Sequence, residues 1–157
     1  MKLKIFDFDS TLVQKPEEYK WDPNDNKEDN DYMESKESLK IDFKIHQKVL
    51  DKYKKREENT KYVLLTNRTN KLKDEVIQLL KEKGIEFNYH LFRKEDRSKG
   101  NRLIGLIKNL NNNNNIEQIE YYDDKHKHLK DIYRVSKMYD TIKFKINKVF
   151  KNYILTC

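Results

Sequence analysis

Alanine is missing from this chain of 157 residues, and cysteine, proline and glycine occur only one, two and three times. With Cys157 the single thiol, neither an internal disulfide nor a thiolate zinc site can form. That cysteine is the last residue, whereas a prenylation box needs it four from the end, so it reads as a stray thiol. No run approaches the roughly 18 apolar residues of a membrane span. The opening MKLKIFDFD has neither the apolar core nor the small-residue cleavage site of a signal peptide, so the expectation is a soluble protein of the cytoplasm or nucleus, not secreted and not membrane-bound. The length is that of one domain, which argues against an enzyme with separate cofactor and substrate modules. Apolar types make up 36% and charged types 39%, yet 11% aromatics and distinct apolar runs argue for one packed core rather than global disorder.

The net charge of +7 is unevenly spread. Residues 17–42 hold ten acidic groups against four lysines, whereas residues 125–157 hold nine basic groups against two acidic ones. A basic end of this kind attracts phosphates by screened Coulomb forces and counterion release, although most such runs are solvated faces.

Alternating strand and helix patterns predict an α/β fold with a Rossmann-like, mostly parallel sheet and helices on both faces. Leu3 to Phe8 reads as the first strand. Residues 13–41, with Pro16 and Pro23 and no sustained periodicity, read as an irregular acidic excursion. Ile45, Val49, Leu50 and Tyr53 mark a helix between Ile41 and Glu57. Tyr62 to Leu65 is a continuous apolar run opening into a loop at Thr66-Asn67-Arg68. Leu72, Val76, Ile77, Leu79 and Leu80 repeat at helical spacing until Gly84. Ile85 to Phe92 supplies a third strand, Asn101 to Leu110 a helix, and Asn111 to Asn115 a low-complexity connector. Ile116 to Tyr122 reads as the fourth strand and Lys125 to Lys137 as a lysine-rich helix. Thr141 to Ile146 then reads as an edge strand that closes a single domain at residues 1–146, with 147–157 a basic tail.

Polar residues gather where the apolar strands end. Asp7 and Asp9 close the first strand, Thr66 the second, and Asp123 and Asp124 the fourth, while Lys99 begins a helix. In an open parallel sheet the carboxyl ends of the strands face one crevice, so these residues are expected to meet there. Asp7 and Asp9, two apart on an extended strand, start on one face, and a turn at Ser10 and Thr11 folds Asp9 back beside Asp7. Asp7 is then the candidate nucleophile forming an aspartyl-phosphate, and Asp9 the proton donor to the leaving oxygen. Thr66 and Lys99 supply donors to the phosphoryl oxygens, with Ser10, Thr11, Asn67 and Arg68 as neighbouring substrate contacts. Asp7, the main-chain carbonyl of Asp9, and Asp123 with Asp124 make an oxygen set for a hard divalent cation, Mg²⁺. Lys94 and Lys99 both precede the same helix; Lys99 is favoured because Gly100 follows it and the apolar period starts at Leu103. His126 and His128, two apart on a helix, do not share a face and are not read as metal ligands.

Taken together, these residues resemble the haloacid-dehalogenase-like phosphohydrolase superfamily. FDFDSTL at 6–12 is similar to its first motif, VLLTN at 63–67 to its second, SKGNRLIGLIKNL at 98–110 to its third and IEYYDD at 119–124 to its fourth. Ser10 stands where the first motif more often has glycine, which favours an ordinary negative φ at that position. FDFDSTL followed by Pro16 and Trp21, with VLLTNRT and YYDDKHKH, also resembles the Swiss Army Knife RNA-repair-like group of that superfamily; this chain has Asn67 and Lys125 where the group has glycine and arginine. The resemblance implies a Mg²⁺-dependent phosphatase, with His128 lining the crevice mouth and Asp124 the favoured metal ligand of the acidic pair.

Residues 13–41 and 68–98 leave too little apolar chain for a packed cap domain, so the crevice is expected to be open and suited to a large substrate. The expected partner is a phosphorylated end of a nucleic acid, RNA by the resemblance, tracked by the basic C-terminal segment. A small-molecule or protein phosphate is the alternative substrate, and a binding or scaffold module without turnover is the alternative class.

Overall fold

In the computed structural model, residues 1–14, 36–40, 43–95, 98–111 and 115–157 are described. Most of the acidic excursion, with Pro16 and Trp21, and residues 112–114 of the asparagine-rich connector therefore lie outside the described residues. The elements run β1 (Lys2–Phe6), β2 (Val13–Gln14), a 3-10 turn (Lys36–Leu39), β3 (Lys44–Ile45), α1 (Gln47–Lys54), β4 (Thr60–Thr69), a second 3-10 turn (Asn70–Leu72), α2 (Lys73–Glu82), β5 (Tyr89–Arg93), α3 (Lys99–Asn111), β6 (Gln118–Asp123), α4 (His126–Ser136), β7 (Lys143–Val149) and β8 (Ile154–Thr156). Six strands form one sheet in the order β5-β4-β1-β6-β7-β8. All neighbours are parallel except β7 and β8. This is the α/β, Rossmann-like architecture expected from the alternation of patterns. No helix among the described residues is long and apolar enough to cross a membrane.

The period of two along each strand divides the core into two layers. Leu3 and Ile5 of β1, Val63 and Leu65 of β4, and Ile119 and Tyr121 of β6 pack with Leu103 and Ile107 of α3 and Leu129 and Ile132 of α4. Phe6, Leu64 and Tyr122 face the other way, onto Val49 and Tyr53 of α1 and Val76 and Leu80 of α2. Phe6 and Tyr122 stack there with ring centres 4.9 Å apart. Helices thus cover both faces; β4 is apolar on both sides between Tyr62 and Leu65, whereas the Phe6 face of β1 also carries Lys4, buried and paired with Glu57 and Glu120.

The third strand, expected from Ile85, begins only at Tyr89, and four further features differ from the sequence reading. The helix expected from Ile41 starts only at Gln47, because Lys44–Ile45 pair antiparallel with Val13–Gln14 and the His46 ring accepts the Val49 N–H as an N-terminal cap. β4 does not open into a loop at Thr66 but continues to Thr69, with an irregularity in its pairing to β5 between Leu65 and Thr69. The expected basic tail is folded: β7 runs on to Val149, and β8 pairs back onto it through Asn147, Lys148 and Val149. β8 thereby satisfies backbone groups that β7 would otherwise leave open at the sheet edge, and stacking of Phe150 on Tyr153 at 4.5 Å closes the turn between them. Finally, β1 ends at Phe6 and Ser10 takes a left-handed conformation, φ 61°, instead of an ordinary negative φ.

An L-residue in that region bears a cost of about 1 to 2 kcal/mol that glycine escapes, against about 0.4 to 1 kcal/mol of extra unfolded-state entropy for glycine. Ser10→Gly is therefore expected to raise stability by about 0.5 to 1 kcal/mol in urea unfolding; a loss of stability contradicts the strained turn.

Candidate active site

Asp7 continues the alternation of Leu3 and Ile5, and Asp123 that of Ile119 and Tyr121, so both carboxylates arrive on the side of the sheet covered by α3 and α4. Lys99 begins α3 between them. Its ammonium lies 2.8 Å from Asp7 Oδ1 and 2.8 Å from Asp123 Oδ2. The lysine is 2% exposed, Asp7 5% and Asp123 0%, so water screens the group little. Gly100 is what lets the start of α3 sit so close to α4: its N–H donates to Asp131 Oδ2 at 2.7 Å, and a Cβ there would stand 2.7 Å from Asp131 Oδ1.

The remaining lone pairs are taken in turn. Thr11 donates its hydroxyl to Asp7 Oδ2 at 3.2 Å. The Tyr121 hydroxyl donates to Asp123 Oδ2, which also faces His128 Nδ1 at 3.2 Å, and the Lys125 N–H donates to Asp123 Oδ1 at 3.1 Å. Asp124 adds a third carboxylate: one oxygen from each of Asp7, Asp123 and Asp124 lies within 4.8 Å of the others.

Charge is distributed unequally in this cluster. Burial, then the Asp123 charge, pushes Asp7 well above the usual carboxylate range, and Lys99 opposes them. Asp123 is desolvated too, but Lys99 and the His128 contact hold it well below that range. Burial and the neighbouring Asp123 raise Asp124 to about 7. Burial lowers His128 against the pull of Asp123, and burial likewise lowers Lys99, but Asp123 and Asp7 together raise it above its ordinary value. Three carboxylates therefore share one ammonium, and the two that resist ionisation, Asp7 and Asp124, are oxygen donors short of positive charge. That donor set fits a hard divalent cation such as Mg²⁺.

Other expected site residues sit differently. Asp9 is not one of the clustered carboxylates. Both of its oxygens are taken by Arg68, from Nε at 2.8 Å and Nη2 at 2.7 Å, so its carboxylate stands outside the Asp7 cluster. The cause is the left-handed Ser10 after the early end of β1, together with the need of an almost buried guanidinium for a counterion. Arg68 also donates to Ser38, and Asn67 lies between Arg102 Nη2 and His128 Nε2, so protein groups hold both residues expected to contact substrate. Ser10 is exposed, and the Thr11 hydroxyl donates to Asp7. Thr66, 1% exposed, accepts the Arg68 N–H on its hydroxyl oxygen at 3.1 Å. Lys94 is exposed and apart, which leaves Lys99 as the lysine of the cluster.

The sequence reading missed two residues. Tyr121 is two before Asp123 on one strand, a spacing that puts both on the same face. Arg102 is three after Lys99 on one helix, and it donates to the Thr66 carbonyl at 2.6 Å and the Leu91 carbonyl at 3.1 Å, tying the end of β4 to the helix that carries the lysine. No family model, curated protein or solved structure matches the chain.

Two outcomes follow from the charge distribution. Asp124 is protonated in the fold at pH values where the unfolded chain has already released that proton, so its contribution to stability is present near pH 4 and lost as the pH rises through about 7. Asp124→Asn is therefore expected to stabilise the metal-free protein above pH 7 by on the order of 2 kcal/mol, with the gain vanishing near pH 4. Millimolar Mg²⁺ should raise the melting temperature of the parent protein by several degrees and that of the variant little. Lys99→Met leaves two buried carboxylates without a cation and is expected to cost about 3 to 5 kcal/mol at neutral pH, less in acid as they take up protons; a pH-independent loss contradicts the role given to the lysine.

Proposed function

We propose that the protein is a Mg²⁺-dependent phosphoric monoester hydrolase acting through an aspartyl-phosphate at Asp7. The observation that carries this reading is the junction of Asp7, Asp123, Asp124 and Lys99 at the carboxyl edge of a parallel sheet, where open α/β folds bind ligands. A module without turnover has no physical reason to keep three carboxylates crowded together at the cost of raised proton affinities.

Asp7, with Thr11 on one oxygen and Lys99 on the other, is oriented by the protein itself. Its carboxylate oxygen attacks phosphorus; the new P–O bond forms as the bond to the leaving oxygen breaks. Asp9, once released from Arg68 and protonated, gives its proton to that leaving oxygen. A water then attacks phosphorus, the Asp7–phosphorus bond breaks, and Asp9 takes the proton the water gives up, so inorganic phosphate leaves and both aspartates are restored. Lys99 and the Thr66 hydroxyl supply hydrogen-bond donors to the phosphoryl oxygens. Asp7, Asp123 and Asp124 would hold the cation, which when bound adds the positive charge that keeps Asp7 ionised and offsets its repulsion from an anionic substrate.

The proposed substrate is a phosphorylated end of a nucleic acid, in line with the resemblance to the RNA-repair-like group. The C-terminal charge that suggests it is divided by the fold. Lys125 precedes α4 and Lys148 is the last residue but one of β7, at the carboxyl edge beside Asp123, whereas Lys137 follows α4 and Lys143 begins β7 at the opposite edge. With Lys127 and Lys151, which lie by the same ends of α4 and β7, the first pair forms the part of the segment able to steer a polyanion toward the cluster.

Asp7→Asn is expected to keep the fold and cut kcat by about three orders of magnitude or more, and a chelator to abolish turnover reversibly. Asp9→Asn should cost far less with nitrophenyl phosphate, whose leaving group needs little protonation, than with an alkyl phosphate. For the substrate class, kcat/KM on 3′- and 5′-phosphorylated oligonucleotides should exceed that on mononucleotides and converge with it as salt rises. Equal, salt-insensitive values return the substrate to small-molecule or protein phosphates.

A further inference from the structure

β5 is an edge strand, and between it and α3 the surface opens into a cleft of about 410 Å³, a volume within the range of small-ligand sites, about 300 to 1,000 Å³. One end of the cleft reaches the carboxyl edge of the sheet, because Asn70 follows β4, Lys94 follows β5 and Arg102 lies in the first turn of α3. Arg102 belongs to both places. Its guanidinium lines the cleft and also holds the Thr66 carbonyl and the Asn67 side chain beside the carboxylate cluster. Arg102 thus links the cleft to Thr66 and Asn67 at the proposed site.

We infer that this cleft seats the nucleoside that carries the phosphate to be removed, and so selects nucleotide ends over other phosphate esters. The inference rests on the hydrolase reading above and adds the position of the leaving group. Three amide residues, Asn70, Asn101 and Asn109, line the cleft and bring donors and acceptors, which is what the edge of a nucleobase requires, although the Asn101 Oδ1 already accepts from Arg134. The His90 ring provides a flat surface on which a base can stack, while Arg102, 8% exposed and bonded to the Thr66 and Leu91 carbonyls, closes the inner end of the cleft. Lys94, left without a part in the phosphate site, faces the same cleft and meets the next phosphate of a chain. Leu91, Phe92 and Leu106 add apolar wall and Glu95 an acidic group, so the lining is mixed, as the face and edge of a base require.

Gly105 gives an independent sign that this space is kept clear. It lies in the second turn of α3 and lines the cleft, and a Cβ built on it meets no heavy atom within 4 Å. An ordinary residue at this helical position would favour the helix by about 1 kcal/mol over glycine, yet its side chain would enter the cleft.

The test measures equilibrium binding to the Asp7→Asn protein with Mg²⁺, which separates recognition from turnover. The probes are inorganic phosphate, glycerol phosphate and a nucleoside 3′- or 5′-monophosphate. The nucleotide is expected to bind at least about tenfold more tightly than the other two. Gly105→Leu should bring that ratio close to one while the melting temperature stays equal or rises; Gly105→Ala, one carbon long, should keep most of the preference and report the helix effect alone. Equal affinity for all three probes, no binding of any, or a preference that survives in a folded Gly105→Leu protein overturns the proposal. Turnover of nitrophenyl phosphate by the parent protein is measured alongside, so that a failure of the cleft assignment is distinguished from a failure of the hydrolase reading.

Discussion

One ammonium group, that of Lys99, sits between two buried carboxylates that come from opposite ends of the chain. Asp7 and Asp123 lie on neighbouring central strands, and without a cation between them their burial and mutual repulsion would have to be relieved by protonation or by opening the sheet edge to water. The rest of the site is arranged around that contact. Gly100 lets Asp131 dock the first turn of α3, Arg102 ties the same turn to β4, and Tyr121 and His128 supply further contacts to Asp123. Even so the compensation is incomplete. Asp7 and Asp124 keep raised proton affinities, which is the condition of a site prepared for a further positive charge.

The sheet that delivers these groups was legible because its signals are local and redundant. Leu3 and Ile5, Val63 and Leu65, and Ile119 and Tyr121 each mark a buried strand face, and the helical spacing between them implies parallel crossovers. Once parallel order is granted, Asp7, Thr66, Lys99 and Asp123 must gather at the carboxyl ends. The choice of Lys99 over Lys94 was legible for the same reason: Leu103 and Ile107 fix the inner face of α3, and Lys99 lies one turn before Leu103 on that face.

What escaped the sequence depends on pairings between distant or short segments. The fate of Asp9 turns on Arg68, fifty-nine residues away, and on a left-handed Ser10 that no serine signals in advance. β8 is three residues long and has no periodicity of its own; it forms because the open edge of β7 offers it partners. The extension of β4 to Thr69 was hidden because its last residues are polar, with Arg68 paired to Asp9 and Asn67 bonded to Arg102 and His128.

The proposed function rests on the same asymmetry of charge. A pair of carboxylates that Lys99 alone cannot neutralise, at the rim of a sheet that Arg102 links to a cleft lined in part by amides, is suited to receive a cation and a phosphate together and to hold what the phosphate is attached to. The most direct test of the central claim is chemical: acid quenching of the protein during turnover of a phosphate ester with Mg²⁺, followed by mass spectrometry of its peptides. The account predicts the mass of one phosphoryl group on Asp7, exchanged for a hydroxamate when hydroxylamine is added. Turnover with Asp7 unmodified, or with the phosphoryl group on another residue, would contradict it.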